Sequence, residues 1–95
     1  MTYTVLFERA AERELADLPR TIREQALERI EALASDSTPP NAAPLTGNLR
    51  GLLKLKIGRR YRIAYQVDEE AKTVIVRGVG HRDRFYERIA RRYQA

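Results

Sequence analysis

Residues 54–67, KLKIGRRYRIAYQV, set five cationic side chains into a segment that otherwise alternates like a half-buried strand. Alternation sends Leu53, Leu55 and Ile57 to one side and therefore Lys54 and Lys56 to the other. In the strand that follows, Tyr61, Ile63, Tyr65 and Val67 form the apolar set and leave Arg62, Ala64 and Gln66 opposite. A three-residue turn over 58–60 pairs Ile57 with Tyr61 and Leu55 with Ile63, keeping both apolar sets on one side. A two-residue turn would mix the faces. The register then stands Lys56 across from Arg62 and Lys54 across from Ala64. Like charges in that position cost from a few tenths to about 1 kcal/mol. Long cationic side chains can relieve part of this by reaching into water, but folding gives no reason to keep them.

Working outward, residues 2–7 (TYTVLF) alternate and are rich in β-formers, which predicts a first strand. From Glu8 the period changes: Ala11, Leu15 and Leu18 share one helical face, and Pro19 divides this helix from a second. Ile22, Ala26, Ile30 and Leu33, with Leu27 and Ala34 beside them, carry the apolar stripe to about residue 35. Residues 36–51 hold three of the four prolines and two glycines and read as a long loop. Strands follow at 52–57, 61–67 and 73–80, and an amphipathic helix at 83–93 places Phe85 and Ile89 on one face. The expected order is β-α-α-β-β-β-α. It describes one α+β domain over 1–95 with a mainly antiparallel sheet, an N-terminal helical hairpin and a C-terminal helix.

The chain has no cysteine, so disulfides and thiolate metal sites are excluded and a reducing compartment fits. MTYTVLFERAAERE is charged by its eighth residue, and no apolar run nears the roughly 18 residues of a membrane span. The expectation is a cytoplasmic protein with no signal peptide and no membrane partner. Net charge is +5, but residues 1–53 carry six basic and eight acidic side chains (net −2), against twelve and five (net +7) in 54–95. That asymmetry points to a polyanionic partner, nucleic acid ahead of anionic lipid.

A second cluster, GVGHRDRFY at 78–86, follows the last strand and gathers His81, Arg82 and Arg84, with Tyr86 one helical turn after Arg82. With one histidine, no cysteine and no carboxylate at a recognisable ligand spacing, no metal site is expected. Paired-carboxylate hydrolysis and a Ser-His-Asp triad lack placed partners. The segment GNLRG at 47–51 lacks the lysine and serine of a phosphate-cradling loop.

LTGNLRGLLKLKIG, RRYRIAYQVDEE and VGHRDRFYERI together resemble the RelE/ParE superfamily of bacterial and archaeal toxins, and within it the RelE branch of ribosome-dependent mRNA interferases. The resemblance spans nearly the whole chain. The branch's Lys-x-Lys pair matches Lys54 and Lys56, its Tyr-Arg-x-x-Tyr run matches Tyr61, Arg62 and Tyr65, and its later arginine and tyrosine match Arg82 and Tyr86. There are two departures: His81 stands where a basic residue is common, and the turn between Lys56 and Arg62 is shorter than in the best-known RelE.

The resemblance implies a toxin of a type II toxin–antitoxin system that cleaves mRNA through attack of a 2′-hydroxyl on the adjacent phosphate. It requires no metal or small-molecule cofactor. Lys54 and Lys56 would serve proton transfer and phosphate charge, Lys56 as base, helped by desolvation and by neighbouring cations such as Arg62. Arg62 would hold the scissile phosphate, Arg82 would stand on the leaving-group side, and Tyr86 would stack on a base or orient the substrate. His81 is an auxiliary proton carrier, and Arg59, Arg60 and Arg84 are RNA-binding charges. The implied partners are a cognate RelB-like antitoxin and the ribosome with mRNA in its A site. Two alternatives are a ParE-like inhibitor of DNA gyrase, a branch that generally lacks the full residue set, and a noncatalytic RNA-binding module.

Overall fold

The computed structural model describes residues 2–93. In chain order the elements are β1 (Thr4–Phe7), α1 (Arg9–Ala16), α2 (Arg20–Ala32), β2 (Ala43–Pro44), a 3-10 turn (Gly47–Leu49), β3 (Leu53–Ile57), β4 (Tyr61–Asp68), β5 (Thr73–His81) and α3 (Phe85–Tyr93). The expected α+β order is present, with β2 added. β2 lies inside the proline-rich stretch read as loop, where two residues pair with Lys54 and Leu53. Proline is tolerated there because β2 is an outer strand whose far side needs no ladder.

Five strands form one sheet in the order β1-β5-β4-β3-β2. β1 runs parallel to β5, and the other pairings are antiparallel. The hairpin register is the expected one: Ile57 faces Tyr61, Lys56 faces Arg62, Leu55 faces Ile63 and Lys54 faces Ala64.

The two sheet faces carry separate cores. On one, the stripe Ala11, Leu15, Leu18, Ala26, Ile30 and Leu33 packs on the buried side chains of β3, β4 and β5. Leu27, placed beside that stripe in the sequence, stays 38% exposed. Tyr65, fully buried on the same face, donates its hydroxyl to the Ser37 carbonyl at 2.8 Å and so ties down the long loop. Burial first, and then the Asp36 charge, push the Tyr65 phenol up to about 12.

On the opposite face α3 buries Phe85 and Ile89 against Leu49, Leu52 and Ala64. It lies close to the backbone there: a Cβ on Gly78 would run into Ile89, and one on Gly80 into the Arg88 guanidinium. The two glycines share a face by alternation, and that face is the α3 side because β5 carries an irregularity before them. Ala64 pairs with Gly78 but Tyr65 with Val76, so Arg77 is the extra residue of a bulge. Val74 and Val76 therefore share the helical-hairpin face with Val79, where strict alternation would have put Gly78.

Candidate functional site

The hairpin of β3 and β4 brings Lys56 and Arg62 directly opposite each other on the α3 side of the sheet. Arg62 is held by its own turn, with Nη1 donating to the Arg59 carbonyl at 3.0 Å and the Tyr61 carbonyl at 2.9 Å. Gly58 makes that turn possible, with φ at 60°, a region open to glycine at little cost. Arg59 and Arg60 project from the turn and are exposed. The Arg82 amide donates to the Arg60 carbonyl at 2.6 Å, which extends the β4–β5 ladder one rung and brings Arg82 beside the hairpin end.

Lys54 is half-buried and Lys56 exposed. The desolvation expected around Lys56 is therefore absent from the free chain, because α3 covers Ala64, Gly78 and Gly80 and stops short of the hairpin tip. The Lys54 ammonium stands 5.7 Å from the centroid of the Tyr86 ring, within reach of a cation–π contact. Tyr86 meets Phe85 edge-on, and its hydroxyl is buried with no hydrogen-bond partner among the described residues. The ring, rather than the hydroxyl, is what Tyr86 offers to the cations.

Arg84 adopts φ 59° immediately before α3, a left-handed conformation that costs a non-glycine residue about 1 kcal/mol. Arg82 and Arg84 also precede the positive end of the α3 dipole, where cations are unfavourable for the helix. Both features cost stability, and the second adds positive potential at this end of the sheet.

His81 points elsewhere. The Arg77 bulge turns it to the helical-hairpin face, where its ring meets Tyr61 edge-on at 5.3 Å and its Nδ1 accepts the Asp83 amide at 3.1 Å. It stands at the sheet end expected of it, but its side chain is on the opposite face of the sheet from Lys56 and Arg62.

Among the described residues, no carboxylate forms an ion pair with Lys54, Lys56, Arg59, Arg60, Arg62, Arg82 or Arg84. No three His, Asp or Glu side chains among them come together as a metal-ligand set would. A second group of arginines was not singled out in the sequence. Arg77 pairs with Glu8, and Arg88 and Arg92 both pair with Glu14, itself half-buried on α1. Glu14's hydrogen bonds raise Arg92 above its ordinary value. A signal existed: Arg88 and Arg92, four residues apart, flank the Phe85 and Ile89 stripe, as two glycines flank Val79.

A site of this kind can bind a phosphate between two strands, neutralise its charge and place an amine and a guanidinium on it. Residues 5–86 match the family described as ParE toxin of type II toxin-antitoxin system, parDE. Toxin RelG of Mycobacterium tuberculosis is 34% identical over 88 residues, covering 93% of this chain and all of RelG. In the toxin–antitoxin complex RelBE2 of the same organism, a chain superposes with a TM-score of 0.77 at 32% identity, over 86% of this chain and 100% of that one. A double arginine-to-alanine mutant of E. coli toxin RelE in the free state superposes with a TM-score of 0.78 at 28% identity, over 99% and 100%. This chain, with its sheet, its α3 packing and its unpaired cationic hairpin, belongs to the ParE toxin family of type II toxin–antitoxin systems and has the fold of the RelE toxins.

Proposed function

We propose that the protein is a ribosome-dependent endoribonuclease that cleaves mRNA and so stops translation. The observation that carries this reading is the pairing of Lys56 with Arg62 across one hairpin, beside Lys54 and Arg82, with no carboxylate among the described residues in an ion pair with them.

In the proposed reaction the 2′-hydroxyl loses its proton to Lys56 and attacks the adjacent phosphate. Arg62 swings from its turn carbonyls to the phosphate and stabilises the charge that builds there, and its planar fork suits that task. Lys54 adds a second positive charge, held against the Tyr86 ring. As the bond from phosphorus to the 5′-oxygen breaks, leaving a 2′,3′-cyclic phosphate, Arg82 hydrogen-bonds the departing oxygen and water protonates it. Arg59, Arg60 and Arg84 steer RNA by long-range attraction and contact its backbone. His81 has no step in this scheme.

Lys56 is exposed in the free chain, so the water exclusion that a lysine base needs has to come from the partner. The ribosome, with mRNA in its A site, is that partner: it fixes the codon and covers the open face. The second partner is a RelB-like antitoxin, a pairing supported by the RelB–RelE complexes among the solved relatives. Its toxin-binding segment is expected to combine acidic and apolar residues and to block access to the ribosome.

The test is to map mRNA ends in a translating extract for the wild type and for Lys56→Ala and Arg62→Ala. Codon-phased breaks that disappear in both folded variants support the reading. The family's ParE description favours a second one, inhibition of DNA gyrase without cleavage, for which impaired supercoiling with intact mRNA is the expected result.

A further inference from the structure

β1 ends at Phe7 opposite Val76, so beyond that rung β5 has no strand on its outer side. Backbone groups on such an edge need partners, and side chains supply them. Glu14 Oε1 accepts the Val79 amide at 3.1 Å, Arg88 Nη2 donates to the Val79 carbonyl at 3.3 Å, and Arg92 Nη1 donates to the Arg77 carbonyl at 2.8 Å. The Glu14 carboxylate also takes Arg88 Nε at 2.9 Å and Arg92 Nη2 at 2.5 Å. One carboxylate on α1 thus binds two successive turns of α3.

α3 has nine residues, too few to hold a helix without tertiary contacts. Its apolar grip is Phe85 and Ile89, and the bare backbone at Gly78 and Gly80 sets its height above the sheet. Neither feature fixes its position along β5 as firmly as charged forks bonded to named backbone atoms. Tyr86 precedes Arg88 by two residues, so a slide of α3 moves the Tyr86 ring and with it the surface against which Lys54 stands.

We infer that Glu14 is a positioning residue for the Tyr86–Lys54 pair: bound to Arg88, Arg92 and the Val79 amide, it fixes α3 on the sheet and so the place of the Lys54 ammonium. The inference rests on the cleavage reading above. Glu14 touches no substrate and acts from the far edge of the sheet.

The experiment uses E14Q, which keeps the shape and one acceptor but loses the charge, in ribosome-programmed mRNA cleavage. The expected result is a kcat lowered by about tenfold or more, the scale on which small misplacements act. KM for programmed ribosomes stays within about twofold, because the exposed steering cations are untouched. In a Tyr86→Ala background E14Q causes no further loss, as expected of residues acting through one another. The α3 amides exchange faster with deuterium in E14Q, a readout independent of activity. Cleavage equal to wild type, an equal loss in both backgrounds, or unchanged α3 exchange overturns the inference while leaving the cleavage reading intact. A wild type that cleaves no mRNA overturns the reading and the inference together. If E14Q fails to fold, Arg92→Lys, which keeps the charge but not the fork, is held to the same expectations.

Discussion

Two sets of cations sit on this small sheet, and the chain treats them in opposite ways. At the outer edge of β5, Arg77, Arg88 and Arg92 are half-buried, each bonded to a carboxylate, and Arg88 and Arg92 also to strand carbonyls. At the β3–β4 hairpin, Lys56 faces Arg62 with Lys54 beside them, no carboxylate among the described residues pairs with them, and Arg62 borrows the Arg59 and Tyr61 carbonyls. The same residue types therefore close a structure in one place and leave a charge unanswered in the other. Charge content alone does not separate the two. What separates them is whether an acid from a distant element reaches the group.

The largest expected effect is at the hairpin. Arg62→Ala should lower mRNA cleavage by at least about 10²-fold while changing stability by no more than about 1 kcal/mol, since the bonds lost are those of one guanidinium nitrogen to the Arg59 and Tyr61 carbonyls. A large fall in melting temperature would break the distinction by making Arg62 a structural residue. The converse probe is Gly78→Ala, which drives a methyl into Ile89 beneath α3. It should cost about 3 kcal/mol in denaturant unfolding, the upper part of the usual range for overpacking.

Alkaline unfolding separates the core from both charged regions. An unfolded tyrosine ionises near 10, whereas Tyr65 in the fold is pushed up to about 12. A raised acid favours the folded state while neutral, so this contribution is complete below pH 10 and is lost as pH climbs toward 12. The loss is at most about 2–3 kcal/mol. Tyr93, raised by burial and then by its bond to Glu8, shifts the edge cluster in the same direction. Unfolding followed from pH 9 to 12 should show the decline, and Tyr65→Phe should remove the Tyr65 share of it while leaving that of Tyr93.

The smallest effect sharpens the comparison most. Arg84→Gly relieves a left-handed residue and removes a cation from the positive end of a helix dipole. It should raise stability by about 1 kcal/mol and weaken RNA cleavage, with a shallower dependence on salt. A variant that is both more stable and fully active would show that the unpaired charges are incidental.

Much of this arrangement is legible in the sequence where one constraint settles one question. The hairpin register is such a case, because only a three-residue turn keeps Leu55, Ile57, Tyr61 and Ile63 on the same face as found. The helical stripes are another, since Ala11, Leu15, Ala26 and Ile30 are all buried as their spacing requires. The bulge at Arg77 was not legible. An extra residue leaves a run such as VIVRGVGH reading as continuous strand, yet it reverses every side chain after it. His81 was read as lying just past a strand ending at residue 80, whereas β5 includes it and the bulge sets the face it takes. β2 escaped because two residues, one of them proline, carry no periodicity. Glu14 escaped because its partners lie at the other end of the chain, and no local pattern joins a helix acid to arginines so remote.

That remoteness has a consequence for synthesis. Glu14 is separated from Arg88 by 74 residues and from Arg92 by 78, and Glu8 from Tyr93 by 85. Contacts between elements so far apart in sequence close late, and these join the N-terminal part of the chain to α3. A nascent chain can assemble its hairpin, sheet and first core while the α3 segment is still inside the ribosome that is making it. The fastening of α3 waits until that segment has emerged, so the cationic hairpin can be in place before the helix that carries Tyr86 is secured.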